Sequence, residues 1–404
     1  MAILELINEP FTHRRGALAA SYCDALEGRG ILDASPGLFL AGPRRTGKST
    51  FLREDLMPQM RLRGWEPLYV DLWSDRARDP AGLIIAAIRQ ALARFDGSVL
   101  KAAKRAGLEK LTVLKLVSLD FSKISQPGGA TIADALQALH TKCGKALALL
   151  VDEAQHALSS PAGVASMFAL KAARDRLNQG HSTVRGVQRG LHLMMTGSNR
   201  DKLTHLMLRK SQPFFGAGVT RFPLLDQSFI EAYAQWLNRQ FAPGCGFEVD
   251  VSMQAFELVG HRPEMLKTVV GEAVTELGGA AGLNQQLAHN AQQLQRRAWN
   301  EFESTYNGLP PAQKAVFDAV ARLSPGYEPF AEVALSAYQA TLGKPLTTSA
   351  IQGALDALRD KELIWRAGRG DYALEDGGLQ AWYLQSHPQP PVLTTPPVTF
   401  ARPN

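Results

Sequence analysis

The residues best suited to chemistry fall at three places in the chain. The first is Gly42-Pro-Arg-Arg-Thr-Gly47-Lys48-Ser49-Thr50, which fits the pattern G-x-x-x-x-G-K-[ST]. Glycines at these positions let the backbone curl so that several N–H groups face one anion. A helix opening at Lys48 adds the positive end of its dipole. Lys48 has the length and charge to reach the β- and γ-phosphates of a nucleotide, and the Ser49 hydroxyl suits Mg²⁺. ATP and Mg²⁺ are therefore the expected ligands. Gly42, Pro43, Thr46, Gly47 and Thr50 are assigned to the same cradle, together with Arg44 and Arg45. The two arginines also admit a second reading, as solvated cations or as groups facing a neighbouring subunit or DNA.

The second place is Ala146-Leu-Ala-Leu-Leu-Val-Asp152-Glu153-Ala-Gln155. An apolar strand that ends in two acids presents carboxylates at the C-terminal edge of a parallel sheet, where ligands bind. Asp152 is assigned to the Mg²⁺ shell and Glu153 to orienting and polarising an attacking water. A lone pair of acids capping a helix start would have the same spelling; the phosphate loop upstream favours the chemical reading. The third place is Leu191-His-Leu-Met-Met-Thr-Gly-Ser198-Asn199-Arg200. A strand inserted between the two motif strands brings Ser198 or Asn199 to both the water and the γ-phosphate, the alternative being a plain polar turn.

These residues need a scaffold, and the pattern of apolar runs supplies one. Short apolar strands are expected at Leu38 to Ala41, Pro67 to Leu72, Leu147 to Val151, Leu191 to Thr196 and Val219 to Pro223, with helices at 12–30, 48–63, 80–95 and 131–140. Residues 101–125, carrying Lys101, Lys104, Arg105, Lys110, Lys115 and Lys123, read as irregular. Continuous apolar strands alternating with helices imply an α/β parallel sheet covered on both faces. After Asp226 the strand-like runs stop. The expected organisation is a P-loop ATPase core at 1–225, a helical lid at 226–305, a winged-helix-like domain at 306–385 and a proline-rich disordered tail at 386–404.

The three strand-end motifs, in this order, resemble an AAA+ type P-loop ATPase, closest to the archaeal-type ATPases and their relatives among the STAND signalling and origin-recognition ATPases. The resemblance covers about residues 10 to 385. It implies Walker A at Gly42 to Thr50, Walker B at Leu147 to Glu153 and sensor 1 at Ser198/Asn199. It places Gly260-His-Arg-Pro-Glu-Met-Leu266 at the lid motif called sensor 2, so that Arg262 would face the nucleotide; the archaeal-type group often lacks an arginine there. It puts trans-acting arginines after sensor 1, where Arg209 is the first choice and Arg200 and Arg221 are alternatives, with self-association as the corollary. Phe11-Thr-His-Arg-Arg lies where these families carry a short motif near the adenine.

Residues 329–342 and 346–360 read as two helices, capped at Thr347 to Ser349, followed by strands around Glu362 to Ala367 and Tyr372 to Glu375. The pattern is similar to a winged helix-turn-helix. Its exposed face would offer Ser349, Gln352 and Arg359 to bases or phosphates, and its wing Arg366 and Arg369. Charge tempers that reading. The chain has 404 residues and a formal charge of +6, but residues 301–404 hold 8 basic and 11 acidic groups (−3), leaving 36 and 27 (+9) in the first 300.

The N-terminal residues lack the basic and apolar regions of a secretory signal, no run approaches the roughly 20 apolar residues of a membrane span, and three scattered cysteines give neither a metal nor a redox spacing. A cytoplasmic ATP-hydrolysing switch or motor follows, acting on DNA or on a DNA-associated protein. The alternative is a regulatory ATP-binding module with little turnover that recruits a protein and makes no direct contact with DNA. A helicase would need a second strand set after residue 227, and the sequence has none.

Overall fold

The computed structural model describes residues 11–29, 33–75, 77–106, 130–179, 190–198, 203–204, 206–207, 212–241, 245–277, 282–324, 327–366 and 372–388. They fall into two compact units, Met1–Gln295 and Arg296–Asn404.

The first unit is built on a five-stranded sheet: β1 (Leu38–Ala41), β2 (Glu66–Asp71), β3 (Leu147–Asp152), β4 (Leu191–Gly197) and β5 (Val219–Arg221). The strand order is β2-β3-β4-β1-β5, and every pairing is parallel. Every residue of β1, β3 and β4 is buried. This is why the sequence shows unbroken apolar runs there rather than an alternation. The period of two is still at work, because the two faces bury different sets. Phe39 and Ala41 of β1, with Leu147, Leu149 and Val151 of β3, face α4 (Pro80–Ala106), α5 (Ile132–Cys143) and α6 (Pro161–Asn178). Leu38, Leu40, Ala148 and Leu150 face Tyr22, Cys23 and Leu26 of α1 (Gly16–Leu26) and Phe51, Leu56 and Met60 on the other side.

The helices begin and end for local reasons. Thr131 and Asp134 form a reciprocal capping box at the start of α5, and Gly144, at φ 64°, ends it in the left-handed conformation. The helix after the phosphate loop departs from the expected regular one. It runs as α2 (Lys48–Phe51), one π turn at Leu52–Leu56, then α3 (Met57–Leu62). A π turn adds a residue to the helix and so re-aims the side chains before it. α4 also differs, extending to Ala106 where an end near residue 95 and then an irregular segment were expected. Asp96, Gly97 and Ser98 are poor helix formers and favour a stop near residue 95, but Leu100 to Ala106 are good ones without a proline, and the helix continues through the weak stretch.

The rest of this unit is helical. α7 (Gln227–Asn238) is capped by Asp226, and α8 (Val249–Leu258), α9 (Pro263–Leu277) and the first half of α10 (Leu283–Asn307) pack with it around Phe229, Phe256, Leu266 and Leu287. The second unit holds α11 (Pro311–Leu323), α12 (Glu332–Leu342), α13 (Thr348–Asp360), the antiparallel pair β6 (Ile364–Arg366) and β7 (Tyr372–Leu374), and α14 (Gly377–Ser386). Its core includes Phe317, Tyr327, Tyr338, Leu355 and Trp382, and the Tyr327 and Tyr338 hydroxyls hydrogen-bond one another. This three-helix and wing arrangement is the winged helix that the sequence implied. No helix among the described residues is long and apolar enough to cross a membrane.

Candidate functional site

The phosphate loop leaves β1 at Gly42, where a side chain would press on Phe222, and turns through two left-handed residues, Arg45 (φ 65°) and Gly47 (φ 88°). Thr46 is buried and its hydroxyl donates to the Pro43 carbonyl at 2.8 Å, fixing the turn from within. Lys48 is 5% exposed, and its Nζ donates to the Gly42 and Pro43 carbonyls, each at 2.7 Å. A buried ammonium needs acceptors. Here the loop itself provides them, and the charge stays at the centre of the cradle. Ser49 is half-buried, and its hydroxyl has no hydrogen-bond partner among the described residues.

Strand order brings the other motifs to this loop. β4 lies between β1 and β3, so Ser198, just past the end of β4, stands between the loop and the acids that end β3. Asp152 is fully buried. Its Oδ2 accepts from the Tyr69 hydroxyl at 2.8 Å, its Oδ1 accepts from the Thr196 hydroxyl, and the Glu153 N–H donates to Oδ1 at 3.1 Å. Burial and the adjacent Asp152 carboxylate push the Tyr69 phenol up. Tyr69 thus stays a neutral donor to Asp152.

Glu153 is left-handed (φ 53°, ψ 42°), an uncommon conformation for this residue type that swings its side chain back over the sheet edge. Its Oε2 accepts from the Ser198 hydroxyl at 2.6 Å, from the Ser198 N–H at 3.3 Å and from Gln155 Nε2 at 2.5 Å. Its Oε1 carries no hydrogen bond among the described residues, and Glu153 lines the cavity above the phosphate loop. One oxygen is pinned and the other is available to a water.

Sequence reading did not single out four neighbours. Gln155 bridges Glu153 and Ser198, donating to Ser198 Oγ at 3.2 Å, while its Oε1 packs against Gly197, where a Cβ would come within 2.6 Å. Asp71 ends β2 in register with Asp152; burial is the largest cause of its raised pKa, and the charges of Asp152 and Glu153 add to it. Trp73 follows, with its ring 4.0 Å from that of His156. Lys267 of α9 lines the cavity. Asp71 had a visible signal, a strand ending in an acid as β3 does. Gln155 ends the motif of Asp152 and Glu153, though its reach to Ser198 is a tertiary contact; Trp73 and Lys267 have no local pattern.

The cavity measures about 530 Å³. Its floor is the loop from Arg44 to Phe51, and its walls are His13 and Arg15, Glu54 and Asp55, and Phe229, Pro263, Glu264 and Lys267 from the helical part. Phe11 packs edge-on or tilted against Phe229, Tyr233 and Trp236 with centroids 5.0–5.7 Å apart, and it lines one part of the cavity. Burial, reinforced by Arg15, lowers the pKa of His13. Arg45 Nε lies 3.7 Å from Glu264 Oε2, tying the loop to α9.

Arg262, the expected sensor 2 residue, is absent from the cavity wall, while Lys267, one turn into α9, is on it. Arg221 is exposed at the end of β5. Asn199, Arg200 and Arg209 lie outside the described residues, as do Arg369, Lys110, Lys115, Lys123, almost all of the proline-rich tail and the side chains of Lys101, Lys104, Arg105 and Arg366.

Ser49 lines the cavity and offers a hard oxygen donor of the kind Mg²⁺ prefers, whereas Asp152 is fully buried beneath it, with both carboxylate oxygens hydrogen-bonded, and is not on the cavity wall. No group of three or more His, Cys, Asp or Glu is assembled for a metal among the described residues. A cation held here would share its shell with nucleotide phosphates, the usual situation for Mg²⁺. The donor set and the cationic loop fit a Mg²⁺–nucleotide.

No sequence-family model matches the chain, and no curated protein does. Solved structures do. The Aeropyrum pernix ORC2 protein in its ADP form aligns over 95% of both chains at 14% identity, with a TM-score of 0.53. The chain shares the fold of an archaeal ORC protein. Cdc6p from Pyrobaculum aerophilum aligns at 17% identity and TM-score 0.41, covering 93% and 94% of the two chains. The Aeropyrum pernix ORC1 protein in complex with DNA aligns at 15% identity and TM-score 0.39, with the same coverage. The shared fold is the one expected from the motif order, a parallel five-stranded sheet with a C-terminal winged helix.

Proposed function

We propose that this chain is a cytoplasmic, Mg²⁺-dependent ATPase of AAA+ type, a switch that works on DNA or on a DNA-associated partner. The observation that carries the proposal is Glu153, pinned through Oε2 by Ser198 and Gln155 and lining the same cavity as Lys48.

In this reading the Lys48 ammonium exchanges its two loop carbonyls for the β- and γ-phosphates. Ser49 holds Mg²⁺, which when bound neutralises charge across those phosphates, and the buried Asp152 supports the site from beneath. Glu153 accepts a proton from the attacking water at Oε1. Ser198 keeps the carboxylate aimed. The aromatic group around Phe11 and Phe229 gives the base an apolar wall, and residues 226–305 act as the lid. Residues 1–225 are the core and 306–385 the winged-helix domain, with 386–404 as the tail. Self-association through the core, or capture of a protein partner, belongs to the same proposal.

The regulatory alternative draws on one observation. On α13, Asp356 Oδ1 accepts from Gln352 at 3.1 Å and from Arg359 at 3.3 Å, so two of the three side chains expected to read DNA are tied to an acid on their own helix. That face suits a protein as well as a phosphate backbone. Two comparisons test the proposal. Lys48→Ala abolishes nucleotide binding, whereas Glu153→Gln binds MgATP and fails to turn it over. ATPase rates measured with and without duplex DNA separate a DNA-linked switch, which DNA stimulates, from the protein-recruiting alternative, which it leaves unchanged.

A further inference from the structure

We infer that Arg44, inside the phosphate loop, is a catalytic arginine acting within its own chain on the γ-phosphate. The inference rests on the ATPase reading above.

Three observations carry it. Arg44 Nε donates to Ser198 Oγ at 3.3 Å, the same hydroxyl that donates to Glu153 Oε2 at 2.6 Å. Its guanidinium carbon stands 5.5 Å from the centroid of the Trp73 ring, so the aromatic face supports the cation. Arg44 lines the cavity, and among the described residues its two Nη groups have no acceptor. Nε is thus spent on positioning, and the fork of Nη donors remains for an anion. Arg45, one residue on, turns the other way to Glu264. The neighbouring arginines therefore have different tasks, one facing the reacting groups and one facing α9.

The step balances simply. A water oxygen bonds to the γ-phosphorus, and the bond from that phosphorus to the β,γ-bridging oxygen breaks. ADP leaves with the electron pair, and the water proton passes to Glu153. Charge builds on the γ-phosphoryl oxygens and the bridging oxygen, where a planar cation is most effective. The hydroxyl of Ser198 ties that cation to the base, so the two are set by one group.

The test uses the full-length chain. Arg44→Ala lowers steady-state MgATP hydrolysis by about 10²–10⁴-fold. Affinity for ADP stays within about threefold, which also reports an intact fold, while the preference for a non-hydrolysable ATP analogue over ADP falls. Arg44→Lys recovers only part of the rate, because a point charge cannot reproduce the fork. Mixing Arg44→Ala with Lys48→Ala gives no more activity than the two measured separately, since the intact arginine sits in a chain without nucleotide.

Recovery of activity in that mixture makes the arginine a trans-acting one and overturns the inference. So does an Arg44→Ala rate within about threefold of wild type. A wild-type rate no higher than that of Lys48→Ala overturns the ATPase reading instead; the analogue-to-ADP preference then still decides whether Arg44 contacts the γ-phosphate.

Discussion

Glu153 divides its work between two oxygens, and the division rests on Ser198. The Ser198 hydroxyl donates to Oε2, and its backbone N–H points to the same atom. Ser198→Ala removes the shorter bond and keeps the weaker one, so the carboxylate loses aim without losing its place. We expect kcat for ATP to fall by about ten- to a hundredfold, with nucleotide affinity unchanged, the signature of an interaction that matters at the transition state. A kcat equal to wild type would assign Ser198 to structure alone. At this scale the sequence was informative where spacing along the chain defines the chemistry. Lys48, Ser49, Asp152, Glu153 and Ser198 all arrive at one sheet edge. It was silent on Gln155 and Trp73, whose positions depend on β4 and β2 lying on either side of β3. It pointed to Arg262, whereas the helix brings Lys267 to the cavity.

Among the elements, the parallel sheet was the most legible. Strands buried on both faces read as apolar runs, and all five expected strands are present. The capping residues Thr347 to Ser349 marked the start of α13, where Thr347 accepts the Ala350 N–H; Thr131 caps α5 in the same way. The π turn after Phe51 and the extension of α4 were not legible, because helix periodicity tolerates both. The ends of β2 and β3 make a further prediction. Asp71 and Asp152 are paired in register, and burial with these neighbouring charges raises the pKa of Asp71. A carboxyl whose folded pKa lies above its unfolded value costs nothing when protonated in both states. It costs stability as the pH rises through the folded value. Asp71→Asn, measured without Mg²⁺, therefore gains thermal stability over wild type near pH 8 and loses that gain below the ordinary carboxylate range. Asn can still accept the Trp73 N–H that Asp71 accepts at 2.8 Å. A difference that is flat with pH would contradict the electrostatic account.

Over the whole molecule, charge and architecture do not coincide. Residues 301–404, which include the winged helix, carry −3, and the first 300 carry +9. On α13, Asp356 holds Gln352 and Arg359, so local pairing offsets what the helix could offer a phosphate. If DNA is the partner, most of its phosphate contacts come from the ATPase part, and affinity depends on salt. Fluorescence anisotropy with a labelled duplex should show binding that weakens by orders of magnitude between 50 and 200 mM salt if about six phosphates are neutralised. Substituting Arg359 alone should change it little. Binding that is insensitive to salt, or lost with Arg359→Ala, would shift the weight to the winged helix.

The central claim is that Glu153 is the base of an ATPase whose phosphate grip is Lys48. The most direct measurement is single-turnover hydrolysis of MgATP by wild type, Lys48→Ala and Glu153→Gln, with nucleotide affinity determined in parallel. Wild type should turn over, Lys48→Ala should neither bind nor turn over, and Glu153→Gln should bind as well as wild type with hydrolysis slowed by at least about 10²-fold. Hydrolysis by Glu153→Gln at the wild-type rate would contradict the claim.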